Sequence, residues 1–204
     1  VGSFLNCVIY RLEVGEGFLK GRSYCPHCKH KLGFWDLIPV LSFIFLRGKC
    51  EYCKEKISIQ YPLVEMATCV LFVLIYDFLM SDIPRMSDIL FYFVISGFLI
   101  VIFVYDLKHY IIPDKVVYSA IGAALVYDFL KSDIPRMSDF LISAFGAAAF
   151  FLAIVLVSRG KWMGAGDIKL AFLMGLILGF PNILVALFSA FSLGAIIGAG
   201  LILA

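Results

Sequence analysis

The sequence predicts an all-α polytopic membrane protein of about six to seven transmembrane helices plus one large cytoplasmic loop. Three observations predict it. Hydrophobic residues make up 62% of the 204 positions and mean hydropathy is +0.99, whereas a soluble globular domain is about half apolar. Apolar stretches close to the length that crosses about 30 Å of hydrocarbon recur along residues 63–204. Between residues 10 and 60 the pattern is polar instead, with nine of the seventeen Lys and Arg, four cysteines in two pairs and several glycines. That block is long enough to fold by itself.

In chain order, Val1 to Ile9 is apolar but too short to span, and reads as the tail of a truncated first transmembrane helix. Residues 10–60 form the loop, and residues 61–204 a transmembrane domain. The apolar stretches of that domain run from Leu63 to Met80, Ile89 to Tyr105, Val116 to Leu130, Phe140 to Val157, Ile168 to Phe180 and Ile183 to Ala204. Several are shorter than about 20 residues, so flanking polar residues are expected to join the helices. The apolar ending, Leu201-Ile-Leu-Ala204, suggests that the C-terminal side is clipped as well.

Charge orients the spans. Lys and Arg number nine in 10–60, one in 81–88, two in 106–115, two in 131–139, three in 158–169 and none in 179–182. The positive-inside rule therefore puts the loops at 10–60, 106–115 and 158–169 in the cytoplasm and the alternate ones outside. The net charge of +2 is dispersed and partly matched by acids, which argues against nucleic acid as a partner.

Cys25-Pro-His-Cys28 and Cys50-Glu-Tyr-Cys53 are separated by 21 residues, a spacing in which each pair folds back around one tetrahedral metal. A reducing cytoplasmic location argues against two disulfides. Structural zinc on Cys25, Cys28, Cys50 and Cys53 is therefore expected, with no open coordination position; His27 and His30 are spare donors. The apolar portion Leu37 to Leu46 of this loop either lies on the membrane or fills a small core. Cys7 and Cys69 read as small hydrophobes.

Two aspartates stand where carboxylates are expensive. Asp106 closes the apolar run Phe98 to Tyr105, and Asp167 ends Gly164-Ala-Gly166-Asp167 just before another. Both fall at cytoplasmic helix ends. A pair of carboxylates, one ionised as base for water and one protonated as acid, hydrolyses a peptide bond, and like charges in a partly desolvated site divide in that way. Asp167 would head a helix, at its positive end; Asp106 would end one, which makes it the choice for the protonated member. Gly164 and Gly166 clear side chains from around Asp167. The competing reading of Gly-x-Gly-Asp is a helix cap, and Ile112-Pro-Asp114 reads equally as a turn opening the next helix. Lys108, His109 and Lys169 are expected as interfacial charges.

One repeat has no functional reading. Tyr76 to Asp88 recurs as Tyr127 to Asp139 with only Met80 and Lys131 differing, both copies in outward loops, and reads as a local duplication.

Taken together, Gly2-Ser-Phe-Leu-Asn-Cys-Val-Ile-Tyr-Arg11, Ser23 to Cys28, Asp36-Leu-Ile-Pro-Val-Leu-Ser42, Gly48-Lys-Cys50, Tyr61-Pro-Leu-Val-Glu65, Asp106 to Asp114 and Gly164 to Leu170 resemble the type IV prepilin peptidases of pilus and type II secretion systems. The resemblance implies a Gly-x-Gly-Asp aspartic peptidase with Asp106 and Asp167 as its dyad, cutting prepilin and pseudopilin leaders after a glycine on the cytoplasmic side. It also implies S-adenosylmethionine-dependent methylation of the new N-terminus, to which the zinc-bearing loop contributes. No glycine-rich cofactor fingerprint appears in residues 10–60, so the methyl-donor site is not assigned by the residues. The lipid bilayer is the other expected partner. A non-catalytic zinc-ribbon membrane adaptor, in which the aspartates only cap helices, is the alternative from a different class; an archaeal preflagellin-type peptidase is disfavoured by the four cysteines, and an ion transporter by aspartates gathered at one face.

Overall fold

The computed structural model describes residues 1–17, 22–80, 85–131 and 134–203. Its elements are α1 (Gly2–Val14), a 3-10 turn (Trp35–Leu37), the short α2 (Leu41–Phe45), then α3 (Gln60–Met80), α4 (Met86–His109), α5 (Asp114–Lys131), α6 (Ile134–Ser158), α7 (Ala165–Leu178) and α8 (Asn182–Leu203). Among the described residues there is no strand, only two isolated bridges, Tyr24 with Lys31 and Lys49 with Lys56.

Each of the six apolar stretches becomes one helix, and the helices extend into their polar flanks because a backbone group in hydrocarbon has only the helix to bond to. Thus α4 takes in Asp106, Lys108 and His109. Helix α6 begins at Ile134, inside the segment that the charge pattern assigns to an outward loop, and Pro135 stands in its first turn, where its missing N–H is tolerated. Positions 81–84, Pro84 among them, and 132–133 of the repeat lie outside the described residues.

Among the described residues, four helical segments are long and apolar enough to cross a bilayer: Gln60–Met80, Met86–His109, Met137–Ser158 and Asn182–Leu201. Helix α7, with 14 residues, is about 21 Å long and shorter than the hydrocarbon layer. Of the six to seven spans expected, four described helices meet the length and apolarity of a span. Their outer faces carry large apolar side chains such as Leu74 and Phe78 on α3, Phe103 on α4 and Phe188 and Ile196 on α8, all exposed. A soluble protein rarely leaves such a surface to water; lipid accepts it.

The chain divides into two compact units, Val1–Tyr110 and Ile111–Ala204. In the first, α1, α3 and α4 pack against one another. Leu5 and Ile9 of α1, four residues apart and so on one face, are buried along with Val64 of α3 and Ile95, Val101 and Ile102 of α4. Phe72 and Phe93 stack at 4.4 Å between ring centroids, joining α3 to α4. A left-handed Gly15 ends α1, and Glu16 N–H returns to the Arg11 carbonyl.

In the second unit α7 is central, in contact with α5, α6 and α8. Val117, Ala120 and Ala124 of α5 and Leu173 of α7 are wholly buried. At Gly175 the backbones of α7 and α6 nearly touch: a Cβ there would fall 2.4 Å from the Ala144 Cα. Small residues at the crossing are how apolar helices gain packing in lipid, where the hydrophobic effect gives no advantage to one apolar neighbour over another.

Candidate functional site

The polar block folds around its cysteines. The Sγ atoms of Cys25, Cys28, Cys50 and Cys53 all lie within 4.8 Å of one another, with Cys25 and Cys53 3.9 Å apart. Thiolates about 2.3 Å from one tetrahedral zinc are about 3.8 Å from each other, so this donor set fits the ion. All four are free thiols, Cys25 and Cys50 buried, Cys28 and Cys53 exposed.

The two halves of the cluster are built alike. Cys25 N–H donates to the His30 carbonyl and its own carbonyl accepts from Lys29 N–H; Cys50 N–H donates to Glu55 and its carbonyl accepts from Lys54 N–H. Lys29 and Lys54 are both left-handed, at φ 57° and 60°. Leu32 N–H reaches Ser23 and Ile57 N–H reaches Gly48, closing each half at the same offset. This duplication is legible as Cys-x-x-Cys-Lys-x-Lys in both halves, a signal that counting cysteine spacing alone passes over. His30 stacks on Tyr52, ring centroids 3.6 Å apart, so it ties one half to the other. Burial pushes the Cys25 thiol up, but the backbone N–H groups of Cys28 and His27 and the thiols of Cys28 and Cys50 outweigh it and bring it down to about 7. The backbone N–H of Glu55 pulls Cys53 down, yet burial and the three neighbouring thiols push it up to about 11.

The apolar portion Leu37 to Leu46 and the two aromatic residues before it divide between an exposed and an inward side. Phe34, Trp35, Ile44 and Phe45 are exposed, while Leu37, Phe43 and Leu46 turn toward a cavity of ≈ 320 Å³ between the cysteine loop, α1 and the start of α3. Two hydrogen bonds hold the 3-10 turn and α2 there. Ser3 Oγ donates to the Leu37 carbonyl, and Val40 N–H donates to Glu65 Oε2 at 2.8 Å.

Asp106 lies in the last turn of α4, exposed, and its carbonyl accepts the N–H of the left-handed Tyr110 that ends the helix. The same turn is tied to α1, with Lys108 Nζ 2.7 Å and His109 Nε2 3.4 Å from Glu13 Oε1. Both bases thus lie against one carboxylate of α1.

Asp167 lies in the first turn of α7, half-buried. Its Oδ2 accepts Gly164 N–H at 3.1 Å while its own N–H donates to the Gly164 carbonyl, a reciprocal cap. The helix-cap reading of Gly-x-Gly-Asp is therefore correct as far as local structure goes. The two glycines have different reasons. A Cβ on Gly166 would meet the Ile112 side chain at 3.0 Å, so Gly166 lets the Ile112-Pro113 segment close on α7, whereas Gly164 has room around it. Lys169 Nζ then pairs with Asp114 Oδ1 at 2.6 Å and lies over the Tyr118 ring, fastening the first turn of α5 to that of α7. The structure brings the four cysteines together; it places Asp106 in the first unit and Asp167 in the second, each on the terminal turn where it was expected.

These features define a multi-pass helical membrane protein with a thiolate cluster, able to bind a metal, outside its long apolar helices. The chain belongs to the type IV leader peptidase family, whose model matches residues 93–199, and the model of the bacterial Peptidase A24 N-terminal domain matches residues 1–78. Proteins similar to it include "Prepilin leader peptidase/N-methyltransferase" of Myxococcus xanthus, 31% identical over all of this chain and 61% of the relative, and the protein of the same name from Aeromonas hydrophila, 30% identical over all of this chain and 78% of the relative. A third, from Neisseria gonorrhoeae, is 32% identical over 96% of this chain and 77% of the relative. No solved structure matches the chain.

Proposed function

We propose that the chain is a membrane-embedded aspartic endopeptidase that removes the leader of type IV prepilins and pseudopilins, after a glycine and on the cytoplasmic side of the bacterial inner membrane, and that it also methylates the new N-terminus. The observation that carries this reading is the family match across residues 93–199, a span that holds both Asp106 and Asp167. The positive-inside pattern supports the cytoplasmic orientation.

In this reading one aspartate, ionised, takes a proton from water as it attacks the scissile carbonyl; the other, protonated, supports the developing oxyanion and gives its proton to the leaving amine. A half-buried carboxylate beside a helix N-terminus suits the base, which assigns that part to Asp167 and the acid to Asp106. Zinc on Cys25, Cys28, Cys50 and Cys53 is structural, since four thiolates leave no open position for a water. S-adenosylmethionine, when bound, supplies the methyl group to the neutral amine, its sulfur keeping the C–S electron pair while the amine loses a proton.

The Gly164 cap on Asp167 favours a second reading, in which the aspartates only cap helices and the cysteine loop recruits a partner. Cleavage of a prepilin-type substrate by membranes bearing wild type, Asp106→Asn or Asp167→Asn separates the two. Loss of cleavage in both variants at intact expression establishes the pair, and full cleavage by either removes that residue from the chemistry.

A further inference from the structure

The cysteine loop turns its largest apolar side chains outward. Phe34, Trp35 and Phe45 are 77%, 79% and 81% exposed. Phe34 and Trp35 pack edge to face at 5.9 Å, and Leu41, Ile44 and Phe45, spaced i, i+3 and i+4, share the exposed face of α2. A cluster of this kind marks an interaction surface, because water is a poor neighbour for it.

The way the segment is anchored says what covers it. Its two holds are Ser3 Oγ of α1 on the Leu37 carbonyl and Glu65 Oε2 of α3 on the Val40 N–H. Glu65 is the sixth residue of α3, about 7.5 Å past the helix start, and so lies inside the segment Gln60–Met80 that is long and apolar enough to span. The loop therefore folds back along the flank of a membrane helix, to a level where α3 itself exposes Leu63 and Met66.

Non-helical backbone at that level needs its own partners, since lipid offers none. The link Ile38-Pro39-Val40 has them. The Ile38 N–H donates to the Trp35 carbonyl and the Val40 N–H to Glu65, Pro39 has no N–H, and the Leu37, Ile38 and Val40 carbonyls accept from Ser3, Ser42 and Ile44. Val40 is held at φ 60°, which a β-branched residue rarely adopts, so the hold on α3 rather than local preference sets this turn. Charge agrees. Asp36 is the only acid among residues 34–49 and its Oδ2 is turned onto the Gly33 N–H, whereas Arg47 and Lys49 border the segment and are exposed. Aromatic rings bordered by bases suit the headgroup region of a bilayer.

We infer that residues 34–46 are seated in the membrane, with Phe34, Trp35, Leu41, Ile44 and Phe45 at the boundary of headgroups and acyl chains and with Arg47 and Lys49 against headgroup phosphates. The bilayer is then a partner of the cysteine loop as well as of the long helices, and it presses the loop against α3. The inference is independent of the peptidase reading, and cleavage of a prepilin substrate stands or falls without it.

Trp35 is the probe. The chain has two tryptophans, so Trp162→Phe leaves Trp35 alone. The full chain carrying this change is placed, one copy per nanodisc, in phosphatidylcholine and phosphatidylglycerol with or without bromine on the acyl chains near the headgroup. Trp35 should lose about half or more of its emission to the brominated lipid and little to aqueous iodide, as for an aromatic residue roughly 5–10 Å into the interface. Quenching by iodide alone overturns the inference, and so does quenching by neither, which would mean that protein covers the ring. The digestion pattern of residues 10–60 checks the fold. Should Trp162→Phe fail to fold, wild type in nanodiscs containing a phosphatidylcholine with an acyl-chain diazirine decides: photolabel on peptides from residues 34–46 supports the seat, and label confined to the long helices overturns it.

Discussion

Asp106 closes a helix and Asp167 opens one. The first is exposed on the last turn of α4, with its neighbours Lys108 and His109 drawn to Glu13 of α1; the second is half-buried, accepts a backbone N–H from Gly164 and follows a glycine against which Ile112 closes. A carboxylate at a helix N-terminus serves the fold as well as any chemistry, whereas one at a C-terminus is opposed by the helix dipole and needs another reason to be there. The contrast teaches that helix-end electrostatics account for a carboxylate at position 167 and not for one at position 106.

The largest effect should fall on cleavage, where the two residues behave alike: Asp106→Asn and Asp167→Asn each lower the rate about 10²–10⁴-fold, the range for losing a general acid or base. Thermal melting in detergent should separate them. Asp167→Asn loses a charge at a positive helix end and destabilises by about 0.3–1 kcal/mol, while Asp106→Asn is neutral or slightly stabilising. Equal destabilisation by both would break the comparison.

Removing the metal tests whether the first unit depends on something the second does not. Chelation or Cys50→Ser should unfold residues 10–60, read as rapid proteolysis there, because binding energy at such sites is folding energy; protection that survives chelation would count against a structural ion. The same site should be acid-sensitive. Cys25 is lowered to about 7, so its ligating thiolate is present above that pH and lost as pH falls through it, and Cys53, raised to about 11, must shed a proton whenever metal binds. Zinc affinity should therefore drop at least about tenfold per pH unit below 7, measured by competition with a chelator. A flat profile from pH 8 to 6 would contradict that assignment.

Smaller effects probe how Asp167 is held. Gly166→Val drives a side chain into Ile112, already 3.0 Å from a Cβ at this position, and should cost about 1–3 kcal/mol by overpacking and slow cleavage with it. Lys169→Met breaks the pair with Asp114, whose side chains are 29% and 60% exposed, and should shift stability by no more than about 1 kcal/mol. If Lys169→Met proved the costlier, the ion pair rather than the glycine would set the α5–α7 contact.

The sequence by itself determined the helices, the pairing of the four cysteines and the placement of both aspartates at helix ends, because each is a local signal: length of an apolar run, spacing of two thiols, a polar residue at the border of a run. It even held the duplication Cys-x-x-Cys-Lys-x-Lys, visible once the structure drew attention to it. It could not say that the exposed Phe34 and Trp35 flank a turn fixed by Ser3 and Glu65, nor that Ile112 is what Gly166 makes room for. Tertiary structure alone decided that Asn6, Tyr61 and Glu65 share a cavity with two cysteines. The physical reason is that helix periodicity and ligand spacing are written over a few residues, while a cavity is what remains between distant segments after each has buried its own apolar face.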